Sequence, residues 1–197
     1  MPTSTLGLVE RAKRGETEAF SLLFKNYRRR LAILIHYRMS PELRGQVDVD
    51  DILQESFLEA SRQLGQFTYR SPGSFIAWLS RIAEHVIVDA ARLHKRQKRD
   101  GGQKHAFRSD SNPNGPEPAD SNTPSRIFAR EERVRKILEK MDALSPEQRE
   151  VILLAKFEGL STEEIALRME KSREAVALLL HRALKRLRES VQEEDGG

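Results

Sequence analysis

The chain has 197 residues, with 34 Lys plus Arg against 30 Asp plus Glu, a formal net charge of +4 and no cysteine. The missing cysteines exclude disulfides, thiolate zinc sites and a cysteine nucleophile, and a pI near 9.5 fits a polyanionic partner. No apolar run approaches the roughly 20 residues that span a bilayer, and MPTSTLGLVERAKRG has no signal-peptide pattern, so a cytoplasmic protein with no membrane association is expected.

From Gly7 to about Met39 the pattern is helical, with a break near Gly15. Phe20, Leu23, Phe24, Tyr27, Leu31 and Leu34 then repeat as one helix face, and Pro41 ends the run. The next segment, DVDDILQESFLEASRQLGQF, sets Asp48, Asp50 and Asp51 where the helix dipole favours acids. It directs Ile52, Leu53, Phe57, Leu58 and Leu64 inward. Asp48, Asp51 and Glu55 share a face, which leaves three readings open: helix capping, a divalent-cation site needing further oxygens from elsewhere, or an acidic docking surface.

After the loop QFTYRSPGS comes a long helix, FIAWLSRIAEHVIVDAARLHKRQKR, with Ile76, Leu79, Ile82, Ala83 and Val86 as its core stripe. Its end is a basic block of Arg92, Lys95, Arg96, Lys98 and Arg99, which is too dense to be paired locally. Aromatic residues stand just upstream, and a basic track beside aromatics is how unstacked bases are held. Trp78, flanked by apolar residues, is expected in the core, and Tyr69 in the loop is the stacking candidate. Residues 1–100 hold 17 basic and 12 acidic side chains, residues 101–127 hold 3 and 3, and residues 128–197 hold 14 and 15. The basic surplus therefore lies in the N-terminal half.

From Ser109 to Ser125 the chain reads SDSNPNGPEPADSNTPS, with four prolines and no large apolar residue. This composition makes a linker. Helix resumes at about Ile127, and LSPEQREVILLAKFEGLSTEEIALRMEKSREAVALLLHRALKRLRE then reads as three helices. Ser145 caps the first, with Pro146 at its first position and Gln148 completing a capping box; Gly159 stops it. Ser161 caps a short second helix with Glu164 three residues on, ending near Met169. Ser172 caps the third, whose Val176, Leu179, Leu180, Ala183, Leu184, Leu187 and Val191 form one apolar stripe. Arg182, Lys185, Arg186 and Arg188 lie mostly off it. Two short helices joined by a tight turn are a helix-turn-helix, which lets the second helix enter a major groove. The fold expected is all-α: a helical domain over 1–100, a flexible linker over 101–126 and a helix-turn-helix domain over 127–197.

Taken together, three blocks resemble bacterial RNA polymerase sigma factors of the sigma-70 family, in the extracytoplasmic-function (ECF) subgroup. DVDDILQESF is similar to the D-x-x-D-h-h-Q-E-h-F pattern of sigma region 2, FIAWLSRIAEHVIVDAAR to its promoter-melting helix, and LSPEQREVILLAKFEGLSTEEIA to region 4. The resemblance implies a transcription initiation factor without catalytic residues or cofactor, whose partners are promoter DNA and core RNA polymerase, through the beta-prime clamp helices and beta flap. An anti-sigma factor is a further partner common in the group. Asp48, Asp51, Gln54 and Glu55 are implied to face the clamp helices, in place of the metal and capping-only readings. The loop from Gln66 to Ser74, with Tyr69, is implied to capture a base flipped from the minus-ten element. Arg81, His85, Arg92, Lys95, Arg96, Lys98 and Arg99 would follow that DNA. The helix from Ser172 is implied to read the minus-35 element, through Ser172, Arg173, Glu174, Ala177, Leu178 and Arg182.

Three departures from the family pattern stand out: His85 where asparagine is usual, Glu170 in place of the turn glycine, and the apolar AVALLLHRA in place of T-V-K-S-R-L-H-R-A. The alternative is a stand-alone helix-turn-helix regulator binding DNA as a dimer; it is disfavoured because no ligand pocket or dimerisation heptad is legible. A metal-dependent phosphotransferase built on Asp48, Asp50 and Asp51 would lack a glycine-rich phosphate loop.

The linker composition makes a direct prediction. Limited proteolysis should cut first between about Gly101 and Ser125 and leave two helical fragments. First cleavage inside either half would contradict the two-domain reading.

Overall fold

The computed structural model describes residues 4–99 and 132–195, so the expected linker over 101–126 lies outside the described residues. Among these residues the structure is helical, with no strand, and the chain divides into two compact units, Met1–Ile127 and Phe128–Gly197.

In the first unit, α1 (Thr5–Lys13) starts on Ser4, whose hydroxyl accepts the Gly7 N–H at 3.1 Å. Gly15 turns the chain at φ 88°, a conformation that glycine adopts at no steric cost. Helix α2 (Thr17–Arg38) follows and is central, with α1, α4 (Val49–Gln63) and α5 (Ser74–Arg99) all packed on it and α4 packed on α5. The expected stripe holds: Leu23, Tyr27, Leu31 and Leu34 are buried, and Phe24 meets Phe57 edge-on at 4.4 Å. Pro41 ends α2 as expected and also begins a single turn, α3 (Pro41–Arg44), capped by Ser40. The residue before a proline is driven to extended backbone, where an N-cap belongs, so one Ser-Pro pair both stops and starts a helix. Aromatic rings close the end of the bundle nearest the 67–74 loop. Phe75 sits 5.0 Å from Tyr27 and 5.5 Å from Phe67, and Trp78 packs 4.8 Å from Phe67.

The second unit contains α6 (Glu132–Asp142), α7 (Pro146–Ile152), α8 (Thr162–Met169) and α9 (Arg173–Asp195). Each serine cap read from the sequence is formed. Ser145 and Ser161 make reciprocal capping boxes with Gln148 and Glu164, and Ser172 accepts the Ala175 N–H at 3.1 Å. Hydrogen bonds from the Ser161 hydroxyl and backbone hold the Glu164 carboxyl below its usual range. Arg149 is the counterpart at a C-terminus, donating to the carbonyls of Met141, Asp142 and Leu144 and satisfying groups that the end of α6 leaves open.

The sequence pattern did not anticipate that α7 continues as a π-helical run, Leu153–Glu158, before Gly159 ends it at φ 72°. Val151, Ile152, Leu153 and Leu154 are all buried. Four successive residues go most of the way round a helix, so this stretch is enclosed rather than amphipathic. Glu158, also buried, accepts from Arg168 at 3.2 Å and ties the run to α8. A charge-assisted bond of this kind is stronger than a neutral one.

Glu170, the C-cap of α8, adopts φ 53° and ψ 44°. It is the one non-glycine residue with positive φ among the described residues, and for a residue with a Cβ this costs about 1–2 kcal/mol. Glu170→Gly should therefore raise the stability of the helix-turn-helix unit by about 1 kcal/mol, after the added freedom of glycine in the unfolded chain offsets part of the relief. Chemical denaturation followed by circular dichroism checks this, and an unchanged or lower midpoint would count against strain at the turn.

Candidate nucleic-acid interface

The long helix α5 carries a strip of side chains opposite its core. Ile76, Leu79, Ile82, Ala83 and Val86 are buried as read from the sequence, and Phe75, Ile87 and Ala90 join them. At 100° per residue the opposite line is Arg81, His85, Val88, Arg92 and Lys95, with Arg96 at its edge, and all six are exposed. The strip is about 21 Å long from Arg81 to Lys95 at 1.5 Å per residue. Arg92 makes a fully surface-exposed pair with Asp89 at 3.4 Å, and such a pair is readily exchanged for another anion. The side chains of Lys98 and Arg99 lie outside the described residues. Val88, 46% exposed in the middle of the strip, was not singled out in the sequence, although projecting the helix as a wheel would have placed it there.

The loop between Phe67 and Ser74 leads into this helix. Ser74 fixes it by accepting the N–H groups of Arg70 and Ser71 and donating to the Ser71 carbonyl. Lys13 reaches across from α1 to the Phe67 carbonyl at 2.5 Å. Phe67 is buried while Tyr69 is only half-buried. Trp78, expected in the core, is only half-buried, and its ring lies tilted against Phe67 and Phe75 at the edge of the aromatic layer.

On α4 the carboxylates separate into different environments. Asp48 is the N-cap and accepts the Asp50 N–H at 2.9 Å. Asp51 is half-buried and Gln54 exposed, whereas Glu55 is only 7% exposed and lies 4.0 Å from the Arg62 guanidinium. Leu58, expected inward, is 42% exposed. The buried side of α4 is centred on Val49, Ile52, Ser56 and Ala60, and Leu58 lies across the helix from that line. Its outward neighbours are Asp51, Gln54 and Arg62, so the strip is mixed, acidic and apolar. No cluster of three or more His, Asp or Glu with metal-holding geometry occurs among the described residues.

In the second unit, three residues, Glu170–Ser172, join α8 to α9. Val176 and Ala183 are completely buried against α7 and α8, so Glu174, Leu178, His181, Arg182 and Lys185 face outward, and all are exposed. Arg173 leans toward α8 and lies 3.6 Å from Glu163, both highly exposed. Ser172 is engaged as the cap, and Ala177 is exposed on the flank of the strip. His181 and Lys185 extend the strip beyond the residues that the resemblance had implied.

A helix-turn-helix with an open outward strip, in a chain whose other unit carries a basic strip on its longest helix, has the architecture of a DNA-binding protein. Comparison with known proteins specifies the kind. The profile of the ECF sigma factor family matches residues 3–194, and the chain belongs to that family, whose members are transcription initiation factors. It is 33% identical over 181 residues to the ECF RNA polymerase sigma factor BldN of Streptomyces coelicolor, covering 91% of this chain and 63% of that protein. It thus spans less than two thirds of that relative's length. Against the ECF RNA polymerase sigma-E factor of Escherichia coli strain K12 it is 30% identical over 189 residues, covering 94% of this chain and 93% of the relative. Among solved structures, CnrH in complex with the cytosolic domain of CnrY aligns with a TM-score of 0.47 at 26% identity, over 94% of this chain and 96% of that one. No helix among the described residues is long and apolar enough to cross a membrane.

Proposed function

We propose that the chain binds core RNA polymerase through the outward strip of α4, engages the minus-ten element with the 67–74 loop and α5, and reads the minus-35 element with α9. The observation that carries this reading is the line Arg81, His85, Arg92, Lys95 and Arg96. It lies opposite a continuous buried stripe on α5, so the core holds four Arg and Lys side chains, with His85 among them, in a fixed track that a phosphate backbone can follow. The half-buried Tyr69 opens the same track, where an unpaired base could stack. Unstacking costs a few kcal/mol and stacking on an aromatic returns about 1–3 kcal/mol per base. On that balance the chain opens DNA by binding, without nucleotide hydrolysis and without acting as an enzyme.

For α4 the exposed groups carry the docking. Gln54 and Leu58 are exposed and Asp51 is half-buried beside them, so the strip presents polar, apolar and acidic contacts together. Glu55 supports them from the edge through Arg62, as a buried carboxylate rather than an open one. Replacing Glu55 with lysine would place a cation in a buried position and damage the fold, so the informative variant avoids it. Asp51→Lys combined with Gln54→Ala should lower affinity for core polymerase by at least tenfold and abolish core-dependent transcription, with helicity unchanged. Fluorescence titration with core enzyme and circular dichroism check this, and parental affinity in the folded variant would overturn the docking assignment.

A further inference from the structure

On α9, Glu174, Leu178, His181 and Lys185 follow one another at intervals of four, three and four residues, so they stack along one strip of helix surface. The full burial of Val176 and Ala183 turns that strip away from the core. Every member but one can form a hydrogen bond or carry charge. The exception is Leu178, 49% exposed between Glu174 and His181, with Arg182 one turn further on. A leucine in this position has nothing to offer a phosphate or a polar base edge. In the major groove the base edges are donors and acceptors apart from a single apolar group, the C5-methyl of thymine.

We propose that Leu178 determines specificity by packing on a thymine methyl in the upstream promoter element, an assignment that rests on α9 reading that element. Glu174, one turn earlier, is the residue type that accepts from the amino group of cytosine. Four residues rise about 6 Å along a helix, against about 3.4 Å per base step. The thymine therefore lies within about two steps of the base that Glu174 touches. Covering one methyl group corresponds to about a fourfold change in binding.

The test uses the full chain with core polymerase on a promoter selected by that holoenzyme from a random DNA library. Each thymine of the upstream element, on either strand, is replaced singly by deoxyuridine, which removes the methyl and leaves base pairing intact. One position should weaken the parental holoenzyme about three- to fivefold. Leu178→Ala should bind thymine and uracil equally at that position, while Leu178→Met, which keeps an apolar side chain of similar size, should retain the difference. If no uracil position matters to the parent, or if Leu178→Ala keeps the parental penalty, Leu178 does not read a methyl, even though the upstream preference stands. If the parent binds a scrambled upstream element as tightly as the selected one, base reading by α9 fails, and the Leu178 assignment falls with it.

Discussion

Val176 and Ala183 lie seven residues apart on α9 and are both inaccessible to solvent. Because a helix is rigid over two turns, burying those two positions fixes the direction of every other side chain between them. Glu174, Leu178, His181 and Lys185 face outward as a consequence, and the exposed Lys185–Glu189 pair at 3.8 Å adds little to hold them there. The same constraint governs α5, where the buried Leu79–Val86 stripe places Arg81, His85 and Arg92 on the opposite line. In both units the proposed reading surface is the reverse side of the core, so on this proposal core packing and nucleic-acid geometry are one property. A cavity on the buried side would both destabilise the unit and release the aim of the opposite strip.

The turn before α9 shows how this constraint is maintained at some cost. Ser161 and Ser172 start their helices with good caps, yet Glu170 between them sits in a left-handed conformation. Lys171 pairs with Glu147 on α7 at 3.1 Å, and Arg173 reaches Glu163 on α8. Both contacts are exposed and individually weak, so the angle between α8 and α9 is set chiefly by the buried Ile165, Ala166 and Val176. Inside the unit the Glu158–Arg168 pair adds a directional link between the π-helical run and α8.

The helix starts were the most legible part of the sequence because serine capping is local chemistry: Ser145, Ser161 and Ser172 each state a boundary without reference to the rest of the fold. The alternation of buried and open faces on α2 and α5 was legible for the same reason, since periodicity depends only on spacing. What depended on tertiary neighbours was less visible. Leu58 is apolar yet outward, and Glu55 is charged yet buried, because the packing of α4 against α2 and α5 sets where its stripe is centred, and hydrophobicity alone does not. The π-helical run was illegible because the four apolar residues Val151–Leu154 that lead into it suit an enclosed helix of any pitch. The candidate polymerase and DNA contacts came from the family resemblance, and the geometry separates exposed candidates such as Gln54, Arg81 and Arg182 from engaged ones such as Asp48, Glu55 and Ser172.

The central claim is that the two units divide the work, α5 supplying sequence-independent affinity and α9 sequence preference. A salt titration of holoenzyme–promoter binding, on matched and scrambled minus-35 templates, tests it most directly. Lys95→Ala with Arg96→Ala should weaken binding on both templates and reduce the slope of log affinity against log salt by about 1.4–1.8, the counterion release of two phosphate contacts. Arg173→Ala with Glu174→Ala should keep nearly the parental slope and narrow the gap between templates, each lost base contact being worth about 1–3 kcal/mol. A parental slope in the first variant, or a parental template preference in the second, would contradict the account.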